Sequence, residues 1–190
     1  MIEVIKNRNK EVKMKKYELI SEPNTNLRRV VALIDIPAIG VHKKDHGGMI
    51  ESENNLSHDG NCWVSGDALV YGNALVYGDA WVYGNAWVYG NARVYGNALV
   101  YGDALVYGNA RVYGDARVYG DAWVSSPLYI QGSRFALTNC KYGYIQIGCE
   151  CHSFKEWEKL GVGIAKKNGF TKEQIDEYRE YIKLFRKIGK

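Results

Sequence analysis

Proline is scarce in this 190-residue chain, with only three, so neither a collagen-like chain nor a proline-rich disordered one fits. No stretch approaches the roughly eighteen apolar residues of a helical membrane span, which makes a soluble protein the expectation. Charge of one sign is in small excess. The 25 Lys and Arg exceed the 21 Asp and Glu by only +4, too little to imply bulk nucleic-acid binding. The opening MIEVIKNRNK lacks the apolar core of a secretory signal, so the four cysteines read as reduced thiols and the location as cytoplasmic. What the chain has in plenty is glycine, 21 residues, and tyrosine, 15 residues, and that pair of excesses points to a repeat.

From Cys62 the chain reads CWVSGD, ALVYGN, ALVYGD, AWVYGN, AWVYGN, ARVYGN, ALVYGD, ALVYGN, ARVYGD, ARVYGD, AWVSSP, an unbroken period of six. Six residues cannot keep one face in register on a helix of about 3.6 residues per turn, but they hold four alternating strand residues and a two-residue corner. Within a unit Ala and Val lie two apart and share one face, and the variable residue and Tyr share the other. Ala and Val are the expected interior, since β-branched residues suit extended backbone and no unit alone can bury its apolar pair. Gly followed by Asn or Asp supplies the corner. These features predict a stack of units, a parallel β-helix.

The pattern resembles the hexapeptide-repeat, left-handed β-helix family, whose loose motif places an aliphatic residue first and a small one four later, as Val70 and Ala74 do here. The resemblance covers about a third of the chain and implies three units per triangular coil and a left hand. The expected fold is an all-β solenoid in three parts. Residues 1–61 form an N-terminal cap and irregular first coil, residues 62–126 the left-handed parallel β-helix, and residues 127–190 a small C-terminal cap of strands and two helices. In the C-terminal part, Ser153 with Glu156 and Thr171 with Gln174 are capping boxes that open the two helices. That part also carries the largest net positive charge, 12 basic against 7 acidic residues.

Three units per coil stack residues eighteen apart and sort the outward positions into three stripes. The first carries Leu69, Trp87, Leu105 and Trp123 beside Tyr71, Tyr89 and Tyr107, with no charged variable residue. Such a flat apolar face needs a cover, and a second or third copy of the chain is the expected one, ahead of the chain's own ends or a foreign partner. The second stripe carries Trp63, Trp81, Leu99 and Arg117 with Tyr83, Tyr101 and Tyr119. The third carries Leu75, Arg93 and Arg111 with Tyr77, Tyr95 and Tyr113. There, guanidinium forks and phenol rings offer a site for a phosphate and a base, or simply keep the face soluble or pair it with an acidic face of another subunit. The corners form Asn and Asp columns, among them Asn73, Asn91 and Asn109, and Asp67, Asn85, Asp103 and Asp121.

GGMIESENNLSHDGNCWV followed by YGNA-type units, and later GCECHSFKEW, resembles a set of bacteriophage and prophage proteins over most of residues 30–160. That resemblance implies a viral setting, and hence the host-cell cytoplasm, without supplying an activity. Some hexapeptide-repeat proteins are acyltransferases with a histidine base at a subunit interface. Here His42, His46, His58 and His152 all lie in the flanks. Cys62 stands in an alanine position, where a buried small residue belongs. Cys140, Cys149, Cys151 and His152 do not have the paired spacing of a zinc knuckle, so no metal is expected. No cofactor motif and no hydrolase order of Ser, His and Asp is present. The expected function is a non-enzymatic, self-associating binding protein that inhibits a host defence system, by holding a host protein or sequestering a nucleotide signal. The alternatives are a virion or fibre component and a hexapeptide-type acyltransferase. No membrane partner is expected.

Overall fold

Glycine after each tyrosine turns the chain from one face of a three-sided tube to the next. Gly84 shows why no other residue serves. Its φ is +72°, and a Cβ there would approach the Gly102 nitrogen of the following coil to 3.0 Å, so backbone conformation and coil spacing both exclude a side chain. The computed structural model describes residues 15–120, 122–123 and 125–189. The opening MIEVIKNRNK, on which the cytoplasmic expectation rests, lies outside the described residues, as does Asp121.

An antiparallel pair, β1 (Tyr17–Ser21) and β2 (Arg28–Ala32), leads into β3 (His46–Ile50), which opens the solenoid. The short strands that follow are β4 (Trp63–Val64), β5 (Leu69–Val70), β6 (Leu75–Val76), β7 (Trp81–Val82), β8 (Trp87–Val88), β9 (Arg93–Val94), β10 (Leu99–Tyr101), β11 (Leu105–Val106), β12 (Arg111–Val112), β13 (Arg117–Tyr119) and β14 (Ala122–Trp123). They stack in three parallel walls. The first is β3-β5-β8-β11-β14, the second β4-β7-β10-β13 and the third β6-β9-β12, and β1-β2 extends the first antiparallel. Residues eighteen apart are in register, as in Leu69 beside Trp87 and Arg93 beside Arg111. Amides bond upward to the next coil: Leu69 N donates to Ala86 O at 2.9 Å and Tyr71 N to Val88 O at 3.1 Å.

The alanines from Ala68 to Ala116 and the valines from Val64 to Val118 are fully enclosed, and Cys62 joins them in an alanine position. Each buried valine contributes about 1.5–3 kcal/mol relative to an exposed one. The first coil is longer than the rest. Met49 pairs with Leu69 and Leu56 bridges Val76, both offset by twenty in sequence, while Trp63 pairs with Trp81 at eighteen. The two additional residues fall between Leu56 and Cys62.

The open lower edge is closed group by group. Met49 N donates to Ala68 O beneath β5. Asn55, fully buried, donates through Nδ2 to Gly72 O and Ala74 O at 3.0 and 2.9 Å beneath β6. Lys16, also buried, donates through Nζ to Cys62 O at 2.8 Å and Gly60 O at 3.2 Å beneath β4. These contacts occupy the unpaired carbonyls that would otherwise template end-to-end pairing.

At the upper end the register slips. Ala122 pairs with Leu105 and Trp123 with Val106, so the last corner is one residue shorter than those below it. Trp123 therefore takes a valine position, points into the tube and is fully buried, with Tyr142 stacked on it at 5.5 Å. This corrects its assignment to the outward first stripe: the end of the tube needs a plug, and a large ring turned inward fills it.

Above the solenoid, β15 (Tyr129–Gln131), β16 (Ala136–Lys141), β17 (Tyr144–Ile147) and β18 (Glu150–Ser153) form an antiparallel sheet. Helices α1 (Phe154–Lys167) and α2 (Lys172–Ile188) pack on it, each opened by its capping box. Leu137, Ile145, Trp157, Tyr178, Ile182 and Phe185 make a second core. Among the described residues, no helix is long and apolar enough to cross a membrane.

Candidate functional site

With alanine and valine consumed by the interior, the variable residue and the tyrosine of each unit are left to define what the solenoid shows to its surroundings. The tyrosines form ladders. Tyr71, Tyr89 and Tyr107 stack at 5.0 and 5.1 Å, and Tyr77, Tyr95 and Tyr113 at 4.8 and 5.5 Å, with rings within 15° of parallel. Tyr129 from the C-terminal sheet continues the second of these ladders at 5.6 Å from Tyr113. Rings this close leave no space for a base between them, so their π faces are used on one another.

The three walls differ in what covers them. On the first, Leu69 and Leu105 flank Trp87, which is 43% exposed, and no charged side chain interrupts them. The chain's own flanks close the ends of this wall and leave its face open. On the second wall, Trp63 is buried under the N-terminal strands, with Tyr17 edge-on at 6.4 Å. Gly47 lies close to the Trp63 ring, where an added Cβ would come to 3.1 Å of it. Trp81 donates to Ser65 Oγ at 2.8 Å. Tyr83, Tyr101 and Tyr119 run up to the C-terminal sheet, where burial pushes the hydroxyls of all three up in pKa.

The third wall brings Arg93 and Arg111 side by side on adjacent strands, both exposed and neither in an ion pair among the described residues. Two like charges at a strand spacing of about 4.8 Å favour an anion between or in front of them. The geometry thus brings together the arginines named from the sequence, while Tyr77, Tyr95 and Tyr113 present edges rather than faces.

The corner columns form as the spacing requires. Asn73 donates to Asn91 at 3.2 Å, Asn91 to Asn109 at 3.3 Å, Asn85 to Asp103 at 2.9 Å and Asn97 to Asp115 at 2.9 Å. Two of the flank histidines are engaged at the ends. His58 stacks on Tyr17 at 4.2 Å and accepts from Lys16 N through Nδ1, and His152 meets Glu150 at 3.1 Å. No group of three metal-ligating side chains occurs among the described residues.

Two features escaped the sequence. One is a cleft of about 650 Å³ between the helices and the C-terminal sheet, lined by Phe135, Ile147, Trp157, Ile164 and Phe170, with Arg179 and Lys183 at its edge. The other is the contact of Cys140 with Cys151, on strands that are not neighbours. Both depend on how the cap folds, and neither leaves a periodic signal.

The repeated coil is similar to the family described as the YdcK beta solenoid repeat, whose model matches residues 68–84, 86–102, 92–108 and 110–126. Each match spans about one coil. The comparison with curated proteins finds no match. The chain is a repeat β-helix protein whose coils are similar to that repeat.

Proposed function

We propose that this protein is a non-enzymatic binding protein that pairs with a second copy of itself through its first wall and offers its third wall to an acidic partner. The observation that carries the first half is Trp87, exposed at the centre of an uncharged face with Leu69 before it and Leu105 after it. That order reads the same in both directions. A two-fold axis lying in the interface, whether along the solenoid or across it, sets leucine on leucine and tryptophan on tryptophan, as an isologous dimer requires. The absence of charge on this face favours a copy of itself over a charged partner.

The second half rests on Arg93 and Arg111, which carry exposed charge without an ion-pair partner among the described residues. An acidic protein surface suits them better than a nucleotide, because the neighbouring rings stack on each other and have no free face for a base. The resemblance of the flanks to bacteriophage proteins makes a host defence protein the kind of target in view.

Sedimentation equilibrium tests the pairing. The wild-type chain is expected at twice its 21.5 kDa, and Trp87→Asp at 21.5 kDa with an unchanged far-UV spectrum, since one unpaired charge in a dry contact costs several kcal/mol. A wild-type mass of 21.5 kDa at every concentration contradicts it. The partner face is tested by capture from host lysate. The double variant Arg93→Glu, Arg111→Glu should remain dimeric and lose the acidic protein that wild type retains, whereas equal capture removes these arginines from the proposal.

A further inference from the structure

The seam between the solenoid and the C-terminal sheet gathers sulfur chemistry that the binding function does not use. Sγ of Cys140 on β16 lies 3.3 Å from Sγ of Cys151 on β18, and the Tyr119 hydroxyl lies 2.8 Å from the same Cys151 sulfur. The register of β16 on β17 shifts between Thr138 and Lys141, and Cys140 lies in that bulge. Cys140 is fully buried, whereas Cys151 is partly exposed. One reachable thiol in contact with one enclosed thiol is the arrangement in which a first sulfur meets an oxidant and a second resolves the product.

We propose that Cys151 and Cys140 form a peroxide-oxidisable dithiol site, in which Cys151 reacts first and Cys140 closes a disulfide with it.

The step balances with hydrogen peroxide as the oxidant. The Cys151 thiolate attacks one peroxide oxygen; the S–O bond forms, the O–O bond breaks, and the departing hydroxide takes a proton to leave as water. Cys140 then attacks the Cys151 sulfur; the S–S bond forms, the S–O bond breaks, and the hydroxyl leaves with the Cys140 proton as a second water. Two thiols and one peroxide become one disulfide and two waters, with two electrons passing from sulfur to oxygen.

The surroundings favour this order. Hydrogen bonding from Cys140 holds the Cys151 thiol down to about 6, aided by the Tyr119 hydroxyl and the charges of Lys141 and His152 and opposed by burial. The same Cys140–Cys151 contact, together with burial, pushes Cys140 up, so the proton of the pair stays on Cys140 and the charge on Cys151. The groups facing the pair are Tyr101 and Tyr119 from the solenoid, Cys140 and Lys141 from β16, and His152 with its partner Glu150 from β18. Lys141 Nζ stands 3.9 Å from the Tyr144 ring centre and 5.5 Å from that of Tyr119. Oxidation removes the anionic acceptor of the Tyr119 hydroxyl, so the contact between coil and cap weakens as the disulfide forms.

Cys149, exposed two residues away, is the competing thiol and is replaced in the test. The full chain carrying Cys149→Ser is treated with hydrogen peroxide and mapped by peptide mass spectrometry. The expected product has lost two hydrogens, contains a Cys140–Cys151 linked peptide and reverts with dithiothreitol. With Cys140→Ser added, the reaction should stop at a Cys151 sulfenic acid that dimedone traps. The alkylation rate of Cys151 by iodoacetamide, measured without any change at Cys140, should rise through about pH 6. A folded protein that yields no linked peptide overturns the proposal. So does oxidation at Cys62 in place of Cys151, or an alkylation rate that rises only in the range of an ordinary thiol.

Discussion

In the regular coils one strand completes the next: Leu69 N meets Ala86 O, Trp87 N meets Ala104 O, and the pattern repeats without a side chain taking part. At the lower end the equivalent carbonyls beneath β6 and β4 are met by two unrelated side chains, Asn55 Nδ2 and Lys16 Nζ. The upper end is different again, with Trp123 filling the tube, Ser126 Oγ accepting from Arg111 N and the Tyr129 hydroxyl accepting from Asp115 N. The coils therefore hold their stability in many small equal shares, whereas each end depends on single residues that have no substitute nearby.

The largest effect is expected from a charge inside the coils. Val94→Asp buries a carboxylate where every neighbour is alanine or valine, at a cost above about 5 kcal/mol, and the far-UV strand signal should be lost. A soluble variant with an unaltered spectrum would mean that the inward and outward faces are exchanged.

Lys16→Met tests the lower end. It leaves the Gly60 and Cys62 carbonyls unpaired in a buried place, which costs about 3 kcal/mol and lowers Tm by about 10 °C. The same substitution at an exposed lysine of α2, such as Lys183, should move Tm by less than about 2 °C. Equal effects at the two positions would mean that Lys16 does no more for the lower end than an exposed lysine does.

Acidification should also act on the lower end first. Burial holds His58 below its ordinary value of 6.5, and its Nδ1 accepts from Lys16 N, which requires the neutral ring. The folded protein thus binds that proton less readily than the unfolded chain, and the stability present above about pH 6.5 is lost as the pH falls below it. Once the slowing of intrinsic exchange in acid is corrected for, protection from hydrogen exchange at Lys16 and Tyr17 should fall between about pH 7 and pH 5 while protection at Val94 does not. Protection that falls equally at all three would contradict a local effect. The smallest stability effect belongs to Trp87→Asp, whose Tm should stay close to that of the wild-type chain once both are compared as monomers, because the face lies outside the core.

The same division explains what the sequence reveals. The six-residue strand and corner, the enclosed alanines and valines and both helix caps follow from local periodicity and capping chemistry, which need no knowledge of the rest of the chain, whereas the eighteen-residue register and the Asn and Asp columns rest on the resemblance to hexapeptide-repeat proteins. Trp123 belongs to AWVSSP, which continues the repeat in letters, yet one missing residue in the preceding corner turns it inward. The only local hint is the loss of Gly and Asn after it. Trp63 likewise reads as an outward residue until the N-terminal strands fold over it. Arg93 and Arg111 were legible as neighbours, but the stacking of Tyr77, Tyr95 and Tyr113 on one another was not, since ring orientation depends on coil spacing. Lys16 and the Cys140–Cys151 pair leave no periodic trace, because their partners are distant in sequence.

Pairing through the first wall is tested most directly by hydroxyl-radical footprinting of the intact wild-type chain over a dilution series, read at Trp87. The account predicts that the Trp87 ring is protected when the protein is concentrated and becomes oxidised on dilution, while buried Trp63 stays protected throughout. A Trp87 ring that reacts at every concentration, at the rate its exposure in the single chain dictates, would contradict it.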